Sequence, residues 1–183
     1  MLYSRIQVVA EVKTHSPFGW KSGKSWDELF AIANQVGDIL SIHTEPEWRG
    51  SVDLIKKAKS LTDKPILAKG IHPVDEDIQK ALEAGADFVL VVGRVPQIFQ
   101  EKCWLEPVNI QELKSFPPGS KVVWNTRDLN TGNPKIETFT EARQLWPGWL
   151  CQASNILTIS DVDPLADAIL VGSHLPEFVQ SLG

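Results

Sequence analysis

Cysteine is scarce in this chain. The two present, Cys103 and Cys151, fall in separate short apolar runs at a spacing with no metal or redox signature, so both are read as buried free thiols. Long apolar runs are missing too: Phe88 to Val92 is among the longest, far short of a bilayer span, and residues 1–5 hold no apolar segment of signal-peptide length. A cytoplasmic protein with no membrane partner is expected. Basic charge is in deficit, with 18 Lys and Arg against 23 Asp and Glu for a net charge of -5. That balance leaves no footprint for nucleic acid, and any anion must be held locally. No G-x-G-x-x-G fingerprint is present, which counts against an open dinucleotide-binding sheet. The His-x-His pair common in barrel metallohydrolases is also absent, and His15, His43, His72 and His174 match no ligand spacing, so no metal is expected.

What the chain does have is a recurring pattern. Its 183 residues, 43% hydrophobic, can bury one sizeable core, and a single domain over residues 1–183 is the default. Eight short apolar runs without strict polar alternation read as strands buried on both faces: Gln7 to Val12, Asp38 to Ile42, Pro65 to Ala68, Phe88 to Val92, Cys103 to Leu105, Lys121 to Trp124, Trp149 to Gln152 and Ala168 to Val171. Amphipathic stretches lie between most of them, such as Trp26-Leu29-Phe30-Ala33, Leu54-Ile55-Ala58-Leu61 and Ile78-Leu82-Ala84. Asp53 and Asp75 stand near helix starts, and Gly85 reads as a helix stop.

Eight alternating units point to an α/β fold, a compact (β/α)8 TIM barrel, with a flavodoxin-like sheet as the fallback. Such barrels typically need about 200 residues or more, so something must be shortened. The shortage falls between the fourth and fifth runs, where residues 94–102, including Pro96, must make a crossover that usually takes at least about 10 residues. The fourth helix is therefore expected to be a single turn or missing, leaving a thin wall near Arg94 that a partner would cover.

Catalytic groups in this fold come from the C-terminal ends of different strands. The segment AEVKTHSP places Glu11 and Lys13 on one face of the first strand, followed by Ser16. His43 and Glu45 follow the second strand, Lys69 the third, Arg94 the fourth and Glu106 the fifth. Asn125 and Arg127 follow the sixth, Ser154 and Asn155 the seventh, and Gly172 and Ser173 the eighth. The last two turns occupy the position where barrels often bind phosphate. Schiff-base chemistry is a further reading of Lys13 or Lys69, though nearby carboxylates would argue for charged, acid-type roles.

These segments resemble the indole-3-glycerol phosphate synthase family, a ribulose-phosphate-binding barrel of tryptophan biosynthesis, from about Gln7 to Leu175. AEVKTHSP is similar to the family's first-strand motif, ILSIHTEPEWRGS to its second-strand region, PILAKG and EAGADFVLVV to its third and fourth, WNTRDL to its Asn-x-Arg-Asp-Leu, and ILVGSHL to its phosphate-binding end. The resemblance implies a carboxyphenylamino deoxyribulose phosphate closed to an indole with loss of carbon dioxide and water. It implies Lys69 as general acid and Glu106 as the proton exchanger of the dehydration. Glu11 and Lys13 would form an ion pair that positions the substrate, with Asn125 and Arg127 orienting it. Ser16, Ser154, Asn155, Gly172 and Ser173 would complete the substrate and phosphate contacts. No cofactor is implied, and the partner is a phosphosugar substrate, with a homo-oligomer or another tryptophan-pathway subunit as a further partner.

Three departures stand out. Ala153 replaces a carboxylate that the family places before the seventh-strand serine. Asn155 replaces a glycine, a change that a left-handed turn tolerates. The family's N-terminal helical cover has no expected counterpart ahead of Glu11. The rival readings are a phosphosugar-binding barrel with weakened chemistry and phosphoribosylanthranilate isomerase. The isomerase would be expected to use a cysteine where Glu11 and Lys13 stand.

Overall fold

The computed structural model describes residues 6–183. Eight strands, β1 (Gln7–Val12), β2 (Ile39–His43), β3 (Ile66–Lys69), β4 (Phe88–Val92), β5 (Cys103–Glu106), β6 (Lys121–Asn125), β7 (Leu150–Ala153) and β8 (Ala168–Val171), pair in parallel and in sequence order. β8 returns to β1, with Ala10 opposite Val171, and the barrel closes. All eight expected strands form, five of them running one residue further toward the C-terminal rim than the apolar runs. Those extra residues include His43, Lys69, Glu106 and Asn125, the polar groups of the mouth.

Alternation along each strand divides the apolar residues into two cores. Outward residues such as Ala10, Leu40, Ile66, Val91 and Trp124 pack under α1 (Trp26–Val36), α2 (Val52–Leu61), α3 (Asp75–Glu83), α4 (Phe139–Leu145) and α5 (Leu175–Ser181). Inward residues, among them Val9, Ile39, Leu67, Leu90, Val123, Cys151 and Leu170, fill the barrel. At the N-terminal end a plug of Phe88, Trp104 and Trp149 surrounds the Lys121 ammonium, which lies 5.4, 5.5 and 5.1 Å from the three ring centroids. Both cysteines are buried and free, as expected, and burial pushes the Cys103 thiol up to about 11.

Aspartates fix the strand register from below. Asp38, just before β2, accepts the Val8 N–H of β1 at 2.8 Å. Asp87, before β4, does the same for Ile66 of β3 at 2.9 Å, and Asp167, before β8, for Leu150 of β7 at 2.9 Å. Each clamp satisfies an N–H at a strand start where the ladder gives none.

The β4–β5 crossover is reduced to a single 3-10 turn, Gln100–Lys102, as its length requires. Arg94 holds this segment by bonding Asp75 at 2.5 Å and the His72 carbonyl at 2.9 Å. It therefore serves the wall, not the mouth. The reduction goes further than the sequence reading anticipates. The β5–β6 link carries only the 3-10 turn Ile110–Ser115, and the β7–β8 link only Ile159–Asp161. In the latter, the Gln152 side chain takes the place of a helix, donating to the Asp161 carbonyl and accepting from the Asp163 N–H, both at 2.8 Å. Asp53 lies in the first turn of α2 without capping it, and Gly85 ends α3 at φ 112°. No helix among the described residues is long and apolar enough to cross a membrane.

Gly37 ends α1 where the chain turns into β2, and a Cβ there would lie 2.8 Å from the Ala10 Cβ and 2.9 Å from the Ala33 and Ile39 carbonyl oxygens. Two of those three neighbours are backbone and cannot yield. Gly37→Ala is expected to destabilise the protein by about 1–3 kcal/mol, measured by denaturant melts; an unchanged midpoint would refute the close packing.

Candidate functional site at the barrel mouth

Inward-facing positions at the C-terminal ends of neighbouring strands gather the polar cluster. Glu11, Lys13, His43, Glu106 and Asn125 are all buried. Closed pairing makes them neighbours: His43 lies opposite Lys69 across β2 and β3, and Asn125 opposite Ala153 across β6 and β7.

Glu11 is the hub. Its Oε1 is shared by His43 Nε2 and by Lys69 Nζ, the latter at 3.5 Å. Lys13 makes no direct ion pair with it, contrary to expectation; the Lys13 ammonium donates instead to Ser173 Oγ at 2.9 Å. The two charges share a face, but the lysine extends past the carboxylate toward the eighth-strand turn. Burial by itself would raise the Glu11 carboxyl, yet Lys69, His43 and Lys13 outweigh it and hold the group well below the usual carboxylate range. Burial lowers Lys13 to about 8 against the pull of Glu11, and the charges of Lys69 and Arg127 add to the fall. His43 is likewise pushed down by burial, against the pull of Glu11.

Glu106 has the opposite environment. Burial raises its carboxyl, against Lys69, Lys135 and the Asn125 amide, so the neutral acid is favoured. Its Oε1 has no partner, and Asn125 Nδ2 approaches Oε2 at 3.5 Å. Asn125 is itself fixed from the other side, its Oδ1 accepting from Ser154 Oγ at 2.7 Å and from the Arg127 N–H at 3.0 Å.

Three hollows line up along this rim. One is lined by Glu11, Lys13, Lys69, Arg127, the Ser154-Asn155 turn and the Gly172-Ser173 turn, together with His174. A second, mostly apolar, lies between His43, Trp48, Lys69, Ile71, Glu106 and Leu129. The third, about 340 Å³, continues past Glu106 along Ile71 and Leu129 to Asp128 and Lys135. Lys69 thus stands between the first two and Glu106 between the last two.

In the cationic hollow, Ser154 and Asn155 are both left-handed, at φ 69° and 57°, so asparagine does adopt the turn that the substitution for glycine requires. The Ser154 hydroxyl is spent on Asn125, and the Asn155 side chain bridges Arg127 Nη2 at 3.4 Å and Thr126 Oγ1 at 2.9 Å. Gly172 is needed for a different reason: a Cβ there would overlap Glu11 Oε2. Ser16 is not brought to the mouth. Its hydroxyl accepts the Phe18 N–H at 3.0 Å and shapes the loop after β1.

The turn carrying Lys69 is tightly fixed. Thr44 N–H donates to the Lys69 carbonyl at 2.8 Å, Ile71 N–H donates to Glu45 Oε1 at 2.7 Å, and the buried His72 adopts φ 49° with its ring bonded to Leu90 O and Thr44 Oγ1. Trp48 and Ile71 line the second hollow. Lys135 is a residue that strand-end reasoning misses. It returns to the rim because the β6–α4 loop doubles back, with Arg127 bridged to Pro134 and Lys135 N–H donating to Thr126 O at 2.7 Å. No group of three or more metal-ligating side chains occurs among the described residues.

No family model matches the chain. Curated proteins do. A protein of Pyrococcus abyssi named indole-3-glycerol phosphate synthase is 32% identical over 195 residues, covering 92% of this chain and 84% of its own length. A Campylobacter jejuni protein of the same name is 25% identical over 189 residues, covering 97% of this chain and 71% of its own. A third, from Thermococcus kodakarensis, is 30% identical over 92 residues, 48% of this chain and 40% of its own. Identity at that level across nearly the full length of the chain, together with the closed eight-stranded parallel barrel, establishes that the chain belongs to the indole-3-glycerol phosphate synthase family.

Proposed function

We propose that the chain is a lyase that closes 1-(2-carboxyphenylamino)-1-deoxyribulose 5-phosphate to indole-3-glycerol phosphate. The observation that carries this reading is the order of groups along the rim: a cationic hollow, then Lys69, then Glu106 beside an apolar hollow. A phosphate held by Lys13, Arg127, Ser173 and the two turns would place the ketone near Lys69 and the aromatic ring against Trp48, Ile71 and Leu129. As the ring carbon attacks the ketone carbon, the carbonyl π electrons move to oxygen and the Lys69 ammonium supplies a proton, so a hydroxyl forms instead of an alkoxide. Loss of carbon dioxide returns its bonding pair to the ring. The hydroxyl then leaves as water with a proton from the Glu106 carboxylic acid, the resulting carboxylate takes up the proton released from the five-membered ring, and Lys69 regains its proton from solvent. Glu106 suits that exchange, since burial raises its carboxyl above the ordinary carboxylate value and favours its protonated form.

Indole fluorescence should appear when the purified protein meets the carboxyphenylamino substrate, and Lys69→Met should lower kcat by about 10²–10⁴-fold while the fold persists. Absence of product at high enzyme concentration would sink the lyase reading; wild-type turnover in Lys69→Met would sink the assigned acid.

Lys13 ties binding to pH. Its ammonium loses its proton above about 8, so stabilisation of the protein by inorganic phosphate should weaken as pH climbs from about 7.5 to 9.5, where phosphate itself stays a dianion. Lys13→Arg, whose guanidinium keeps its charge, should flatten that decline. An affinity in the wild type that does not change across this range contradicts the role.

Glu106 should show its burial as a stability cost. Its folded carboxyl binds a proton more tightly than the unfolded one, whose ordinary value is 4.5. Stability therefore falls as pH rises from about 4.5 through the folded value, and the loss persists above it. Glu106→Gln should raise the melting temperature more at pH 8 than at pH 4 while suppressing turnover. An equal shift at both pH values would show that the carboxyl is not perturbed.

A further inference from the structure

We propose that His43 is a positioning residue for the proton donor: by occupying one oxygen of Glu11, its imidazole keeps that carboxylate from closing on Lys69 and leaves the lysine ammonium free to act on the substrate. The kinetic part of this inference rests on the lyase reading above; the structural part does not.

Three strands deliver the parts. Glu11 comes from β1, His43 from β2 and Lys69 from β3, and the last two lie opposite one another in the ladder. Glu11 Oε1 receives both donors, with the imidazole the closer and Lys69 Nζ at 3.5 Å. Charge-assisted N–H···O bonds ordinarily settle near 2.7–2.9 Å, so this lysine is held off its carboxylate. The imidazole cannot swing aside, because Trp48 stacks on it with centroids 5.6 Å apart and planes within 6°.

The protonation state follows from the partners. An ionised Glu11 can only accept, so His43 Nε2 carries the hydrogen and Nδ1 keeps a lone pair. That Nδ1 is buried and has no partner. An unpaired buried nitrogen is a liability that an apolar side chain of similar volume would avoid. Its presence here is accounted for by what the other nitrogen does. Without that Nε2 donor, Oε1 would have Lys69 as its nearest cation, and Coulomb attraction in a buried site would draw the two together. The other charged groups around the cluster, Lys13 and Glu106, have other arrangements: Lys13 is bonded to Ser173, and Glu106 faces Asn125.

Leucine and glutamine at position 43 separate the donor from the bulk. His43→Leu removes the hydrogen bond, whereas His43→Gln can place an amide N–H where Nε2 now lies. Expected for His43→Leu is a fall in kcat of about 10- to 100-fold with KM nearly unchanged, and for His43→Gln a return of most of the lost kcat. Wild-type kcat in the leucine variant, a loss carried by KM, or equal losses in both variants would overturn the inference. Should the leucine variant fail to fold, His43→Asn, whose amide ends short of Glu11, takes its place. A crystal structure of the same variant tests the geometry without turnover. The Glu11–Lys69 separation should contract from 3.5 Å to about 2.9 Å, and an unchanged separation would overturn the inference even if the lyase assay succeeds. A contraction in a protein that shows no indole product would uphold the positioning role and reject the lyase reading alone.

Discussion

A carboxylate with 3% of its surface exposed can stay ionised only if its surroundings replace water, and Glu11 sets that requirement for the whole barrel mouth. Lys69, His43 and Lys13 supply the compensation, the first two from the neighbouring strands β3 and β2 and the last from the end of Glu11's own strand. His43 and Lys69 need β2 and β3 in register beside β1. The other flank of the carboxylate lies against Gly172, just past β8, where any Cβ would displace it. Closure of β8 onto β1 is therefore a condition for the charge as much as for the core. The aspartate clamps below, at Asp38, Asp87 and Asp167, set the registers that place these groups within reach above.

Stability and chemistry are accordingly divided between the two ends of the barrel. The N-terminal end is filled by Phe88, Trp104 and Trp149 around Lys121. The C-terminal end carries unpaired or strained groups: Glu106 Oε1 and His43 Nδ1 without partners, and His72, Ser154 and Asn155 in left-handed conformations. An unpaired buried indole N–H also lies in the plug, at Trp104. Shortening falls on the wall instead. Three crossovers reduced to 3-10 turns leave all eight strands of the barrel in place.

Much of this was legible in the sequence, and the reason is periodicity. Runs buried on both faces mark their own boundaries, and a polar residue breaking such a run, as Lys69 does in PILAKG or Glu106 in CWLEP, marks the rim. The weak points share a different cause. Whether Glu11 pairs with Lys13 or with His43 depends on side-chain length and on the neighbouring strand, neither of which alternation along a single strand reveals. Lys135 comes ten residues after the end of β6 and reaches the rim only because Arg127 and Pro134 bridge. Ser16 sits in the right segment, but the Ser16–Trp20 backbone bond bends the loop and turns its hydroxyl to Phe18. The missing helix of the seventh unit was hidden because the side chain that replaces it, Gln152, lies in the strand itself.

Charge in the first hollow explains why an acidic protein would receive an anion there. Lys13, Lys69 and Arg127 line it with Glu11 as the one carboxylate among them, and Lys13 bears the strain, its ammonium lowered by burial and by the other two cations. An anion placed there would offset that repulsion. The same accounting separates the two carboxyls. Glu11, between cations, is fixed as a charge, whereas burial raises the Glu106 carboxyl against Lys69, Lys135 and the Asn125 amide. Exchanging their environments would exchange their chemistry, since the side chains differ only in what surrounds them. The rim thus derives its polarity, a cationic hollow at one end and a carboxyl raised by burial toward the other, from how unevenly the lysines are distributed around it.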